Sequence, residues 1–342
     1  MNPYLRFSAA VILVRLLFLF PSFASAAEPT LERFSYEEPH MGTKFRILVY
    51  APEKAKADKA SKAAFERIAE LDRIMSDYQA TSELMRLCAK AGGDPVPVSE
   101  ELFLVLTKAQ EVSKLSDGAF DVTVGPVVKL WRRARRTQKL PDKEQLAKAL
   151  ELVGYEKVKL DPTKRTVQLA KEGMQLDLGG IAKGYAADEA IAVLKKDGLT
   201  RALVAAGGDI AVSGPPPDGE GWKIEIEAAD DADDKPRRTL LLRDAGVSTS
   251  GEKEQYVEID GKRYSHIVDP KTGIGLIGQQ SVTVIAPNGI TSDSMTKVVM
   301  ILGPEKGLAI IENLEGASSL VVRKEEKGFR VVSSRGFPKA SK

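Results

Sequence analysis

His266 stands in the run Ser265-His266-Ile267-Val268-Asp269-Pro270-Lys271-Thr272-Gly273, just after an alternating segment interrupted by Asp260-Gly261. An Asp-Gly pair between two such runs is a strong hairpin signal, so His266 falls at the end of the returning strand and Asp269-Pro270 in the loop beyond it. Its imidazole titrates near ambient pH and can take a proton from a hydroxyl and hand it on, although a lone histidine also serves structural ends. A second candidate is Asp177-Leu178-Gly179-Gly180-Ile181-Ala182-Lys183-Gly184. A helix opening after the glycines offers backbone N–H groups and a positive dipole end, and Lys183 adds a cation, which together suit a phosphate as well as a plain tight turn. Ala206-Gly207-Gly208-Asp209 is another glycine turn carrying an acid, where a ligand can approach the backbone closely. In Thr291-Ser292-Asp293-Ser294-Met295-Thr296-Lys297, Asp293 and Thr296 share a helical face at the expected start of a helix. That pair fits a hard cation such as Mg2+, and Ser292 or Asp293 equally fits a helix cap.

The composition limits the alternatives. With 342 residues, 50 Lys+Arg against 48 Asp+Glu, and 43% hydrophobic residues, the chain can bury a large core and has no global field that would attract nucleic acid. One cysteine, Cys88, and two histidines, His40 and His266, exclude a disulfide framework and a Cys/His zinc cage. Any metal must be held by oxygen. Gly273-Ile274-Gly275-Leu276-Ile277-Gly278 has dinucleotide-binding spacing but follows Asp269-Pro270 instead of a strand and leads into a β-like run, so the context fails. Neither a phosphate-loop motif nor a nucleophile elbow is present.

The elements that must hold these residues are mixed. Residues 1–26 read as a secretory signal peptide, with Arg6, an apolar run and Ala24-Ser25-Ala26 as the cleavage signal. The alternative is an uncleaved anchor, against which Arg15 and Pro21 interrupt the run. The chain is then exported, periplasmic or held at the cell envelope, and 27–342 forms one catalytic domain. Helices are expected at 54–75, 100–115, 143–152, 181–196 and 292–302, from their apolar spacing. Strands are expected at 45–50, 158–160, 167–169, 201–205, 222–227, 239–242, 255–259, 281–285 and 319–322. Leu176-Leu178 reads as a strand entering the glycine turn, and the charged stretch 228–238 as a solvated loop. The order lacks strict βαβ alternation, so the fold class is α+β: layered mixed and antiparallel sheets with flanking helices.

Taken together, the motifs resemble the ApbE family of FAD:protein FMN transferases. The resemblance runs in order through Met41-Gly42-Thr43, Ser76-Asp77-Tyr78, Ser82-Glu83-Leu84, Gly118-Ala119-Phe120-Asp121, Asp177 to Tyr185, Gly207-Gly208-Asp209, Ser248 to Gly251, His266 to Gly273 and Ser292-Asp293. It implies a Mg2+-dependent enzyme that splits FAD and joins FMN by a phosphoester to a Ser or Thr of an acceptor protein, releasing AMP. Acceptors in the family include flavin-carrying subunits of membrane redox pumps. The resemblance places Met41, Tyr78, Ala119, Phe120, Asp121, Tyr185 and Val268 around FAD and Lys183 near its phosphates. It puts Mg2+ on the Ala182 carbonyl, Asp293 and, one place out of register, Thr296, and makes His266 the base for the acceptor hydroxyl. Two departures stand out. Lys297 occupies the place of the family's metal-binding threonine, and Cys88 that of an asparagine facing the flavin nucleotide. FAD hydrolysis to FMN and AMP, or flavin binding without catalysis, are the alternative functions.

Overall fold

Strand Thr43–Ala51 buries Phe45, Ile47, Val49 and Ala51 while Lys44 and Arg46 face solvent, the two-residue alternation of a strand. The computed structural model describes residues 30–227, 237–251, 256–326 and 328–338. In chain order, β1 (Glu32–His40) and β2 (Thr43–Ala51) precede α1 (Lys54–Met75) and α2 (Glu83–Cys88). Next come β3 (Val96–Pro97), α3 (Glu100–Leu115), α4 (Gly125–Thr137), α5 (Lys143–Leu150), β4 (Val158–Asp161) and β5 (Thr166–Leu169). Helix α6 (Ala182–Lys196) leads to β6 (Ala202–Ala206), β7 (Asp209–Ser213), β8 (Trp222–Glu227), β9 (Arg237–Leu242) and β10 (Ala245–Gly251). The last part holds β11 (Tyr256–Ile259), β12 (Lys262–Val268), β13 (Gly275–Ile277), β14 (Gln280–Ala286), α7 (Gly289–Glu312), β15 (Ser318–Glu325) and β16 (Gly328–Ser333).

The main sheet has eight strands in the order β1-β2-β6-β7-β10-β14-β15-β16, paired antiparallel throughout. Its two faces are buried differently. Ile47, Val204, Ala211, Val282 and Val321 pack with α1, α6 and α7 in the large core. Leu203, Val212, Val247, Ile285 and Leu320, at alternate positions, pack with Trp222, Ile224 and Leu240 of the β8–β9 hairpin. A third cluster joins Trp131 and Val127 of α4 to Val257, Tyr264 and Val268 of the β11–β12–β13 sheet. The fold is therefore α+β, with helices on one face of an antiparallel sheet and a hairpin on the other.

Several expectations change. Leu176–Leu178 is not a strand; it is an irregular segment whose Leu176 N–H donates to the Cys88 thiol at 3.3 Å and whose Asp177 N–H donates to the Val122 carbonyl at 2.8 Å. Helix α7 begins a turn earlier than expected, because Asn288 is its cap and accepts from the Thr291 N–H at 3.1 Å. Asp293 therefore lies inside α7 and does not cap it. Helix α4, absent from the sequence reading, starts at Gly125-Pro126, where proline is preorganised for a first turn. The signal peptide and residues 228–236 of the charged loop lie outside the described residues, while Arg237 and Arg238 already belong to β9. Among the described residues no helix is long and apolar enough to cross a membrane.

Candidate active site

The carboxylate of Asp293 is fully buried, at 0% exposure, where the first turns of α6 and α7 meet. Its Oδ1 accepts from the Lys297 ammonium, four residues on in the same helix. Its Oδ2 accepts from the Gly184 N–H at 3.1 Å and lies 3.7 Å from the Lys183 Nζ. Lys183 itself donates to Asp209, the first residue of β7. Two ammonium groups and two carboxylates thus form one buried cluster contributed by α6, α7 and the β6–β7 turn. Burial opposes the ionised form of Asp293, yet Lys183 and Lys297 outweigh it and hold the carboxyl below its ordinary range. The Lys183 ammonium, also penalised by burial, is held above its ordinary pKa by Asp209 and Asp293.

Small residues allow this convergence. A Cβ on Gly184 would stand 2.1 Å from the Gly289 carbonyl oxygen and 2.8 Å from the Asp293 Cβ, so the α6–α7 crossing needs glycine there. On the next turn of α6, Asp188 accepts from the N–H groups of Gly289 and Ile290 at 2.7 and 2.8 Å, filling the donors exposed at the start of α7. Burial first, then Glu189 and Asp293, push its pKa up to about 6, against those two hydrogen bonds. On the sheet side of α7, Ser292 pairs with Ser248 at 2.9 Å and Thr296 with Ser250 at 2.8 Å.

A second constellation surrounds Asp177. Arg132 of α4 donates to Asp77 at 2.5 Å and to Asp177 at 2.9 Å, and its guanidinium lies 4.3 Å from the ring centre of Tyr78. Burial and the neighbouring Asp77 raise the pKa of Asp177, and Arg132 offsets part of this. Tyr78 is 74% exposed, so the outer face of its ring is open above the arginine. Arg132 and Asp188 were not singled out in the sequence. Arg132 stands in the basic run Arg132-Arg133-Ala134-Arg135-Arg136, which reads as a solvated face, and the partners of Asp188 are about a hundred residues away.

The remaining expected residues lie in several other elements. Ala119, Phe120 and Asp121 are buried; the Phe120 ring and the Lys297 side chain both lie 3.4 Å from where a Cβ on Gly180 would be. Asp121, its pKa raised by burial, accepts from the N–H and hydroxyl of Thr123 at 2.8 and 2.7 Å. Met41 and Gly42 form the β1–β2 turn with φ of 48° and 70°, the left-handed pair of a type I′ turn, and the Met41 N–H donates to Asp72 at 3.2 Å. This turn adjoins the Gly207-Gly208 turn, since the Thr43 hydroxyl lies 3.1 Å from a Cβ built on Gly207. Tyr185 is buried in the main core, its phenol pushed up to about 12 by burial and the nearby Glu189. His266 is half-buried in β12 within a bulge, because Tyr264 pairs with Ile277 and Val268 with Gly275. The loop after it reaches the Gly118 block, where Lys271 pairs with Asp117 at 2.7 Å, and Trp131 donates to the Gly273 carbonyl at 2.8 Å. Val268 is buried against this α4 contact.

Magnesium asks for a near-octahedral set of oxygens. Here Asp293 is already bonded to Lys297 and to the Gly184 N–H, and a second ammonium is close by. Thr296 donates its hydroxyl proton to the Asp293 carbonyl at 2.7 Å and faces Ser250. Ala182 is the first residue of α6. Among the described residues no three His, Cys, Asp or Glu side chains converge on one point. The groups present do not fit a magnesium ion.

Two ammonium groups and two carboxylates thus meet at two glycine turns of an α+β scaffold. The chain belongs to the ApbE family, whose model matches residues 41–321. It is 32% identical over 302 residues to the FAD:protein FMN transferase of Klebsiella pneumoniae (strain 342), covering 87% of this chain and 86% of that one. With the Haemophilus influenzae FAD:protein FMN transferase it shares 35% identity over 272 residues, 78% of each chain. The flavin transferase ApbE from Vibrio cholerae superposes with a TM-score of 0.83 at 30% identity, over 90% of this chain and 99% of that structure.

Proposed function

We propose that this chain is a FAD:protein FMN transferase acting on a Ser or Thr hydroxyl of an acceptor protein. The buried Lys183–Asp209–Asp293–Lys297 cluster, set beside the glycine turns of an ApbE-family chain, carries the reading. In the reaction the acceptor oxygen bonds to the FMN phosphorus, and the bond from that phosphorus to the bridging oxygen breaks. AMP leaves with the bridging oxygen and its electron pair. Lys183, with its side chain 26% exposed, supplies positive charge where the phosphate oxygens gain negative charge. His266, in the irregular stretch of β12 between Tyr264 and Val268, takes the hydroxyl proton. Tyr78 offers a flat open face for a ring of FAD, supported from behind by Arg132. Ala119, Phe120, Asp121, Met41 and Val268 shape the surroundings, and Tyr185 holds α6 in the core. The carboxylate expected to bind magnesium is instead paired with Lys297.

The acceptor is a protein exposed outside the cytoplasm, consistent with the export signal in residues 1–26, and flavin-carrying subunits of membrane redox pumps are the first candidates. The test is incubation of the purified protein with FAD and such an acceptor, followed by denaturing electrophoresis. Transfer leaves fluorescent flavin on the acceptor band and AMP in solution. AMP without labelled acceptor would point to FAD hydrolysis, and bound FAD with neither product to flavin binding alone. His266→Ala should slow labelling by roughly 100- to 10,000-fold while FAD still binds; labelling at the parent rate would remove His266 as the base.

A further inference from the structure

The Lys297 side chain is 14% exposed, runs past the bare backbone of Gly180, and ends on the buried Asp293 carboxylate. Gly180 matters to this path: a side chain there would begin 3.4 Å from the Lys297 Cε and 3.5 Å from its Cγ. Lys183 reaches the other oxygen of the same carboxylate at 3.7 Å while bonded to Asp209. A magnesium ion could use Asp293 only by displacing one ammonium and lying beside another, which the charges oppose. An ammonium needs no coordination sphere, only acceptors, and it remains free to donate toward a phosphate with its other protons.

We propose that Lys297 is the resident cation of this site, seated on Asp293 in place of a divalent metal, and that it contacts the FAD pyrophosphate when that substrate is bound. The assignment of the ligand rests on the transferase reading above; the exclusion of the metal does not. Lys297 and Lys183 then flank the pyrophosphate as fixed point charges, while the acceptor oxygen bonds to the FMN phosphorus, the proton passes to His266, and AMP departs with the bridging oxygen.

The test compares the parent protein with Lys297→Thr and with Lys297→Met, which keeps the side-chain volume without the charge. Folding of each variant is checked by circular dichroism. Mn2+, standing in for Mg2+, is titrated into FAD-free protein and followed by electron paramagnetic resonance. The parent should show no stoichiometric Mn2+ uptake, and Lys297→Thr should gain a site at least about tenfold tighter. A parent that binds Mn2+ as tightly as the threonine variant, or a variant that gains nothing, overturns the proposal. In parallel, FAD binding is read from flavin fluorescence in EDTA and in excess Mg2+. Parent affinity should agree within about twofold between the two, whereas Lys297→Met should bind FAD roughly tenfold more weakly in EDTA. Collapse of parent FAD binding in EDTA also overturns it. If no protein bound FAD under any condition, the transferase reading would fall, and the Mn2+ titration would still decide the role of Lys297.

Discussion

Gly184→Ala adds a single methyl group at the point where α6 and α7 are closest. That carbon would sit 2.1 Å from the Gly289 oxygen and 2.5 Å from its carbonyl carbon, against 3.4 Å for ordinary contact, so the helices must part by about 1.3 Å. Both neighbours are backbone, which leaves no rotamer to turn away. Overpacking of this kind costs about 1–3 kcal/mol. Parting the helices also stretches the Gly184–Asp293 bond and the two bonds from Gly289 and Ile290 to Asp188, adding roughly 2 kcal/mol. The better helix propensity of alanine returns about 1 kcal/mol. The net loss is about 2–4 kcal/mol, which at roughly 2 °C per kcal/mol lowers Tm by about 4–8 °C. Differential scanning fluorimetry measures the drop, and flavin fluorescence titration should show weaker FAD binding, since Asp293 moves with α7. Gly289→Ala, whose Cβ would meet the Gly184 oxygen at 2.5 Å, should act in the same direction, and the pair should be less than additive. A Gly184→Ala protein with parent Tm and parent FAD affinity would refute the close crossing as the determinant of the site.

Two other outcomes are expected. Tyr78→Ala should weaken FAD binding roughly fivefold, the contribution of one stacked ring, with Tm unchanged because the side chain is exposed, and Tyr78→Phe should restore it; equal affinity in all three proteins would exclude Tyr78 from the ligand. Asp188 titrates near pH 6 in the fold because of its burial, against about 3.9 in the unfolded chain, so the folded state holds the extra proton between these values. By linkage Asp188 makes stability fall as pH rises from about 4 to about 6, on the order of 3 kcal/mol, and level off above. Asp188→Asn should flatten that part of the Tm-against-pH curve; an unchanged slope would show that another group sets it.

The long amphipathic helices were legible because burial on one face imposes a helical period. In α1, Ala64, Phe65, Ile68, Leu71 and Met75 are all buried as the spacing requires. The Asp260-Gly261 turn was legible for a local reason: its two positive φ angles, 52° and 69°, belong to a type I′ turn. Strand β10 and helix α4 were not. The Ala245-Gly246-Val247-Ser248-Thr249-Ser250-Gly251 run is polar and small because α7 lies on it, and in α4 the apolar positions are few among arginines. Lys183 and Asp293 could be nominated from sequence, but their meeting depends on glycines more than a hundred residues apart. The Lys297 departure was visible as a residue type four positions after Asp293 on the expected helix, whereas the approach of Lys183 and the Gly184 N–H to the same carboxylate depends on the packing of α6 against α7.

Two hydroxyl pairs join β10 to α7, Ser248 with Ser292 at 2.9 Å and Ser250 with Thr296 at 2.8 Å. Two residues along a strand span about 6.6 Å and four along a helix about 6.0 Å, close enough for two rungs to engage together. The arrangement works as a key in a keyway: α7 can neither slide nor roll by a residue without losing both rungs. A strand that brings no charge to the cluster thereby decides which side of α7 turns Asp293 and Lys297 toward α6, and the rotational setting of the helix becomes part of the chemistry.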